Sequence, residues 1–192
     1  MATYAAIAEA GASLLALLRE TMSPEPVTHP ELIGMASPAD KGDLTLSLYL
    51  HRVAESSEGR RTEFIASGSG MLQFPPLALD LYYLLTPYSN ADLQSRTLDE
   101  HRILGKALQV LHDNAVLRAP YLVGSLAERG EELRIQADPL TADAMNGVWN
   151  FGSLPQKLSI PLRIGPVYIE STKLKPTTRV VERQIRVRDK GE

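Results

Sequence analysis

Leu44, Leu46, Leu48 and Leu50 alternate with Thr45, Ser47, Tyr49 and His51, and this stretch constrains the fold of the chain more than any other. A period of two places the leucines on one face of a strand and the polar set on the other. A slip of one residue in pairing would turn four leucines to water, so the register of this strand is firmly fixed. Residues 3–20 put Ile7, Gly11, Leu14, Leu15 and Leu18 on one helical face, and Pro24, Pro26 and Pro30 stop that helix. Residues 91–114 predict another helix, with Leu104, Ala107, Leu108 and Leu111 in register and Asn114 at its end. Residues 75–87 read as a helix opened by Pro75 and Pro76 and closed at Thr86 and Pro87.

The remaining segments are shorter. Residues 32–35 form a weak strand and residues 40–43 a turn. Residues 54–70 are rich in Ser, Gly, Glu and Arg and read as a long loop or flexible hairpin. Leu133 and Ile135 mark a short strand, and residues 140–151 a helix capped by Thr141 with Trp149 near its end. Leu158, Ile160, Leu162 and Ile164 alternate, Val167 and Ile169 continue the pattern, and Gly165-Pro166 marks a bulge or edge. Residues 178–188 carry a strand pattern, with Val181, Ile185 and Val187 on one face. The expected class is α/β (α+β): a mixed sheet packed against several helices, with an extended C-terminal strand or arm. The expected boundaries are a domain at 1–170 and a basic arm at 171–192.

At 192 residues such a chain buries enough apolar surface to hold a core unaided. It has no cysteine, which excludes disulfides and thiolate metal sites. The apolar N-terminus lacks a basic leader and carries Glu9, so it reads as a helix rather than a signal peptide. No apolar run approaches the ~20 residues of a membrane span. The chain is expected to be cytoplasmic at synthesis. The formal net charge is −3, but residues 171–192 hold seven of the 20 Lys and Arg and only three of the 23 Asp and Glu. An acidic body with a basic tail fits a tail that meets an acidic surface.

No catalytic signature appears. His29, His51, His101 and His112 include no pair at metal-binding helical spacing. No Gly-x-Ser-x-Gly elbow occurs, and Gly68-Ser69-Gly70 lacks the Lys of a phosphate loop and reads as a loop tip. No cofactor is expected. An enzymatic or small-ligand alternative would need a cleft built from residues such as His51, Asp99 and His101. The basic tail has three readings: a strand exchanged with a partner, which its alternation favours, an internal edge strand, and a nucleic-acid arm. Residues 171–192 contain no aromatic residue for base stacking, which weighs against nucleic acid. Tyr82, Tyr83, Tyr88 and Phe74 read as an aromatic group packed around the 75–87 segment.

The order of these segments resembles one family. The Leu-Tyr-Leu strand, the Arg60-Arg61 loop, PPLALDLYYLLTPY, EHRILGKALQVLHDNAVL, a Trp-containing helix and an alternating strand are similar to the tail-terminator (cap) proteins of phage-tail-like contractile injection systems. The resemblance covers roughly residues 3–170 and is most specific over residues 74–117. It implies an α/β fold and no enzymatic activity. It also implies a homo-oligomeric ring, hexameric in the family, seated on the sheath and inner tube proteins at the distal end of a particle, released or anchored. The family often carries Asn after Arg in the loop where Arg60, Arg61 and Thr62 stand here, which leaves that loop's contact role open. On this reading Lys173, Lys175, Arg179, Val181, Arg183, Ile185, Arg186, Val187 and Arg188 are candidate sheath- or tube-binding residues. Val181, Ile185 and Val187 would pack and the arginines would supply charge. Arg60, Arg61, Tyr82 and Tyr88 are candidate subunit-interface residues.

Overall fold

The computed structural model describes residues 4–68 and 70–177. In chain order the elements are α1 (Ala6–Met22), β1 (Ile33–Met35), β2 (Leu46–Glu55), β3 (Ile65–Ala66), β4 (Met71–Gln73), β5 (Leu77–Pro87), α2 (Leu93–Asp113), β6 (Val116–Leu117), α3 (Gly124–Glu128), β7 (Leu133–Ala137), α4 (Ala142–Val148), β8 (Ile160–Ile169) and β9 (Leu174–Pro176). Six strands form a mixed sheet in the order β1-β2-β5-β8-β7-β6, and β3-β4-β9 form a second, small sheet. β1 runs parallel to β2; every other pairing among the described residues is antiparallel. The expected α+β class, with a mixed sheet packed on helices, is what forms.

The segment 75–87 is a strand and not the helix that its prolines and apolar content predict. β5 lies at the centre of the large sheet and is buried on both faces from Ala78 onward. Leu79, Leu81, Tyr83 and Leu85 join the main core, while Tyr82, Leu84 and Thr86 are buried on the opposite face. A strand covered on both sides needs apolar residues at nearly every position, so it loses the period of two by which strands are recognised. The expected aromatic cluster is split for the same reason. Tyr82 and Tyr83 point to opposite faces, and Phe74 lies against Phe64 instead, with ring centroids 5.1 Å apart.

The main core lies between one sheet face and α1, α2 and α3. Leu14, Leu17 and Leu18 of α1 and Leu104, Ala107 and Leu111 of α2 are buried there with Leu46 and Leu48 of β2. Burying each such leucine contributes about 1.5–3 kcal/mol. Gly11 lets α1 approach closely, since a Cβ there would stand 2.8 Å from Met35 and 3.1 Å from the Tyr83 hydroxyl. A polar staple ties α1 to α3. The Ser125 hydroxyl donates to the Glu9 carboxylate at 2.6 Å, and the Val123 N–H donates to the Ser13 hydroxyl at 3.0 Å. Gly124 sits between them at φ +58°, where a Cβ would collide with Glu9.

Of the strand expected at 44–51, residues 46–51 are observed in β2, which starts at Leu46, runs on to Glu55 and shifts register against β5 between Leu50 and Arg52. The expected bulge at Gly165-Pro166 also occurs, as a register shift between Leu79 and Leu81 of β5 opposite it. It lies in a central strand rather than at an edge. The Thr141 hydroxyl caps α4 by accepting from the Ala144 N–H at 3.3 Å. Within the 54–70 segment the structure forms β3, which pairs with β4 as a short hairpin.

Tyr83 gives a pH test of this core. Burial pushes its phenol up to about 12. The unfolded phenol ionises near 10, so stability is complete below pH 10 and falls as pH rises from 10 to 12. Two pKa units correspond to roughly 2–3 kcal/mol. Tyr83→Phe is expected to flatten that share of the alkaline loss, read by chemical denaturation at pH 9, 10.5 and 12.

Candidate functional site

The small sheet is a flap at one end of the large one. Gly68 and Gly70 at φ +71° and +82° turn the chain between β3 and β4. β9 then returns from the far end of the sequence to pair with β4, Lys175 opposite Leu72. The Phe74 N–H donates to the Lys173 carbonyl at 3.1 Å and the Thr177 N–H to the Gly70 carbonyl at 2.8 Å. The first residues of the expected arm, 171–177, thus fold back within the chain. Arg179, Val181, Arg183, Ile185, Arg186, Val187 and Arg188, and with them the expected strand over 178–188, lie outside the described residues.

The flap is cationic and aromatic. The Lys175 ammonium lies 3.6 Å from the Phe64 ring centre and the Lys173 ammonium 5.7 Å from that of Phe74. The Arg61 guanidinium lies 4.3 Å over Tyr168, and Arg60 is exposed. A cation over a ring face is held without being neutralised, so each keeps its charge available to a partner. An open groove of about 740 Å³ runs beneath, lined by Arg60, Arg61, Pro75, Leu77, Glu170 and Lys173.

Tyr82 and Tyr88 are buried within the chain. Tyr82 carries the Arg52 guanidinium 3.8 Å from its ring centre. Tyr88 accepts a long 3.5 Å hydrogen bond from Ser47, and burial raises its phenol above the ordinary value. Beside Tyr82, Arg163 forms a polar cluster that the sequence did not reveal. It bonds Gln136, pairs with Glu58 at 3.2 Å and approaches the buried Asp80 at 3.6 Å. These residues come from four separate segments, and no local spacing joins them.

The residues an enzymatic cleft would need sit on two elements, β2 and α2. His51 sits on β2 beside Tyr82, its pKa lowered by burial and by Arg52 against an opposing effect of Asp138. Asp99 on α2 accepts from Ser89 at 3.3 Å and pairs with Arg102 at 3.2 Å. His101 is exposed. Among the described residues no three His, Asp or Glu side chains are grouped to hold a metal ion, and no helix is long and apolar enough to cross a membrane.

The Pvc16 N-terminal domain profile matches residues 9–183. A solved cryo-EM structure, the PVC sheath/tube terminator of an extracellular contractile injection system in its extended state, overlaps at a TM-score of 0.65 with 17% identity. The match covers 96% of this chain and 64% of that one, so the chain spans just under two thirds of the solved protein's length. The cryo-EM structure of the anti-feeding prophage cap, described as a tube terminating cap, overlaps at 0.48 with 25% identity, over 73% of this chain and 48% of that one. No curated protein matches the sequence significantly.

Proposed function

Because the chain belongs to the Pvc16 N-terminal domain family, we propose that it is the tail terminator of a contractile injection system, a structural cap on tube and sheath. The observation that carries this reading is the family match over residues 9–183. The fold shared with a sheath/tube terminator over 96% of the chain agrees with it. The role is structural rather than catalytic. The solved terminator belongs to an extracellular system, and the proposed particle is of that kind.

The finer mechanism follows from the physics of ending a polymer. A growing tube exposes a face that recruits the next ring, and a terminator must match that face without offering a copy of it beyond. A ring of identical subunits does this if its heterologous contacts close; six copies is the stoichiometry the resemblance implies. The C-terminal segment, leaving the flap after Thr177, is proposed to add a strand to an open sheet edge of a sheath subunit. Each backbone hydrogen bond contributes about 0.5–1.5 kcal/mol, and several arms acting from one ring make release rare.

The test of the function is removal of the chain from a producing cell. Sheath–tubes of uncontrolled length or low stability are expected by negative-stain imaging; particles of normal length and stability would overturn the reading. The arm is tested by truncation after Thr177, which leaves β9 and its pairing intact. The truncated chain is expected to melt within a few degrees of the full one yet to leave particles that shed their sheath. Normally stable capped particles would remove the arm from the mechanism.

A further inference from the structure

We propose that the flap is a self-docking surface, seating head-to-tail on the opposite, acidic end of a second copy of this chain. This rests on the ring reading above and names the two surfaces that would form it.

The two ends are set by β5. Its first residue, Leu77, follows the flap, and its last, Pro87, leads to Tyr88, whose N–H donates to the Thr45 carbonyl. At about 3.3 Å per residue, its length separates the two ends by roughly 33 Å. At the flap end, Arg60, Arg61, Lys173 and Lys175 are exposed and have no ion pair among the described residues. The carboxylates nearby are partly used: Glu58 is held by Arg163 and Glu170 by Arg129, leaving Glu55 and Glu63. At the other end, Glu20, Glu25, Asp40 and Asp43 are exposed and likewise have no ion pair among the described residues. Glu31 faces only His29, at 4.0 Å. Of the cations at that end only Arg102 is neutralised among the described residues, whereas Arg19, Lys41 and Lys106 bond neutral oxygens. Arg19 donates to the Ile33 carbonyl, Lys41 to the Gly42 carbonyl, and Arg102 pairs with Asp99. One chain thus carries an excess of free positive charge at one end of its sheet, four cations against Glu55 and Glu63, and an excess of free negative charge at the other, five carboxylates against Arg19, Lys41 and Lys106.

Shape and apolar surface agree with the charges. The flap strands are two or three residues long. Phe64 beside them and Ile65 and Leu174 on them are 39, 44 and 50% exposed. These side chains leave apolar surface open to a partner, and the basic charge around them favours an acidic one. The other end offers a concave surface beside its free carboxylates. A groove of about 820 Å³ lies there, lined by Glu25, Val27, Tyr88, Ile103, Lys106 and the Asp99–Arg102 pair, and Met35 is exposed at the adjoining sheet edge. Because the surfaces differ and lie at opposite ends, the contact is heterologous and generates a ring or a filament rather than a two-fold dimer. Complementary charge steers the encounter and fixes the register, and the apolar flap residues supply the buried area.

The experiment is a charge swap in the full chain, read by native mass spectrometry and sedimentation at low and moderate salt. The unmodified chain is expected to self-associate, more weakly as salt rises. Lys173→Glu with Lys175→Glu should weaken association about tenfold or more, and so should Asp40→Lys with Asp43→Lys. Both pairs are exposed, so thermal melts should be unchanged. An equimolar mixture of the two variants restores opposite charge at every junction and should assemble with the two chains alternating. A chain that stays monomeric under all conditions, or variants that associate as the unmodified chain does, would overturn the proposal. Unchanged self-association with lost capping would also overturn it and assign the flap to sheath or tube instead. Failure of the terminator reading shows separately, as normal particles in cells lacking the chain.

Discussion

Gly165→Ala is expected to cost about 3 kcal/mol of stability, near the upper end of what overpacking does. A Cβ at Gly165 would stand 2.5 Å from the Asp80 carboxylate oxygen and 3.0 Å from the Leu79 carbonyl. The second contact is backbone in the neighbouring central strand and has no rotamer by which to escape. β5 and β8 would have to separate at the register shift, where Arg163 also gathers Asp80 and Glu58. A domain of this size shifts by about 2–4 °C per kcal/mol. The melting temperature should therefore fall by roughly 10 °C, measured by calorimetry or circular dichroism. A fall of under 2 °C would show that the two strands give way at no cost.

Leu81→Ala is expected to be as damaging by the opposite route. Leu81 is fully buried in the middle of β5, opposite Ile164 of β8 and Val53 of β2. Truncation loses the transfer free energy of the deleted carbons and leaves a cavity that a central strand, paired on both sides, cannot collapse. The expected cost is about 3–4 kcal/mol, within the range for buried leucines. The contrast is Leu77→Ala at the start of the same strand, where the side chain is already exposed; it should cost well under 1 kcal/mol. If the two variants unfolded at the same denaturant concentration, the segment would not be the central strand described here. A helix over 75–87 would have distributed burial with a period near 3.6, leaving one face in water.

The elements that were legible in the sequence share one property. α1 and α2 bury one side more than the other, written as a period of 3.6, and β2 and β8 alternate apolar with other residues at a period of 2, although Ser47 of β2 is buried as fully as Leu46 and Leu48. Short signals were legible too: Thr141 before α4, and Gly165-Pro166 at the bulge. The family was legible because its wording runs over a long contiguous stretch. β5 was misread because a strand enclosed on both faces carries no period, and its prolines then weigh in favour of a helix start.

The candidate site was legible only as charge. Lys173 and Lys175 were marked by their place in a basic tail, and Arg60 and Arg61 as a pair in a polar loop. That β9 would pair with β4 across about a hundred residues is recorded in neither segment. Three-residue strands have too little pattern to name a partner. The same holds for Arg163 with Asp80, Glu58 and Gln136, and for Ser125 with Glu9. By itself the sequence determined where periodic strands and helices lie, which end of the chain is basic, and which family it resembles. Tertiary structure alone decided which strand is central, what the flap is made of, and that opposite charges stand at opposite ends of one sheet. The physical reason is that periodicity records how much of a segment is buried and on which side, while the identity of what buries it is a non-local choice settled by packing.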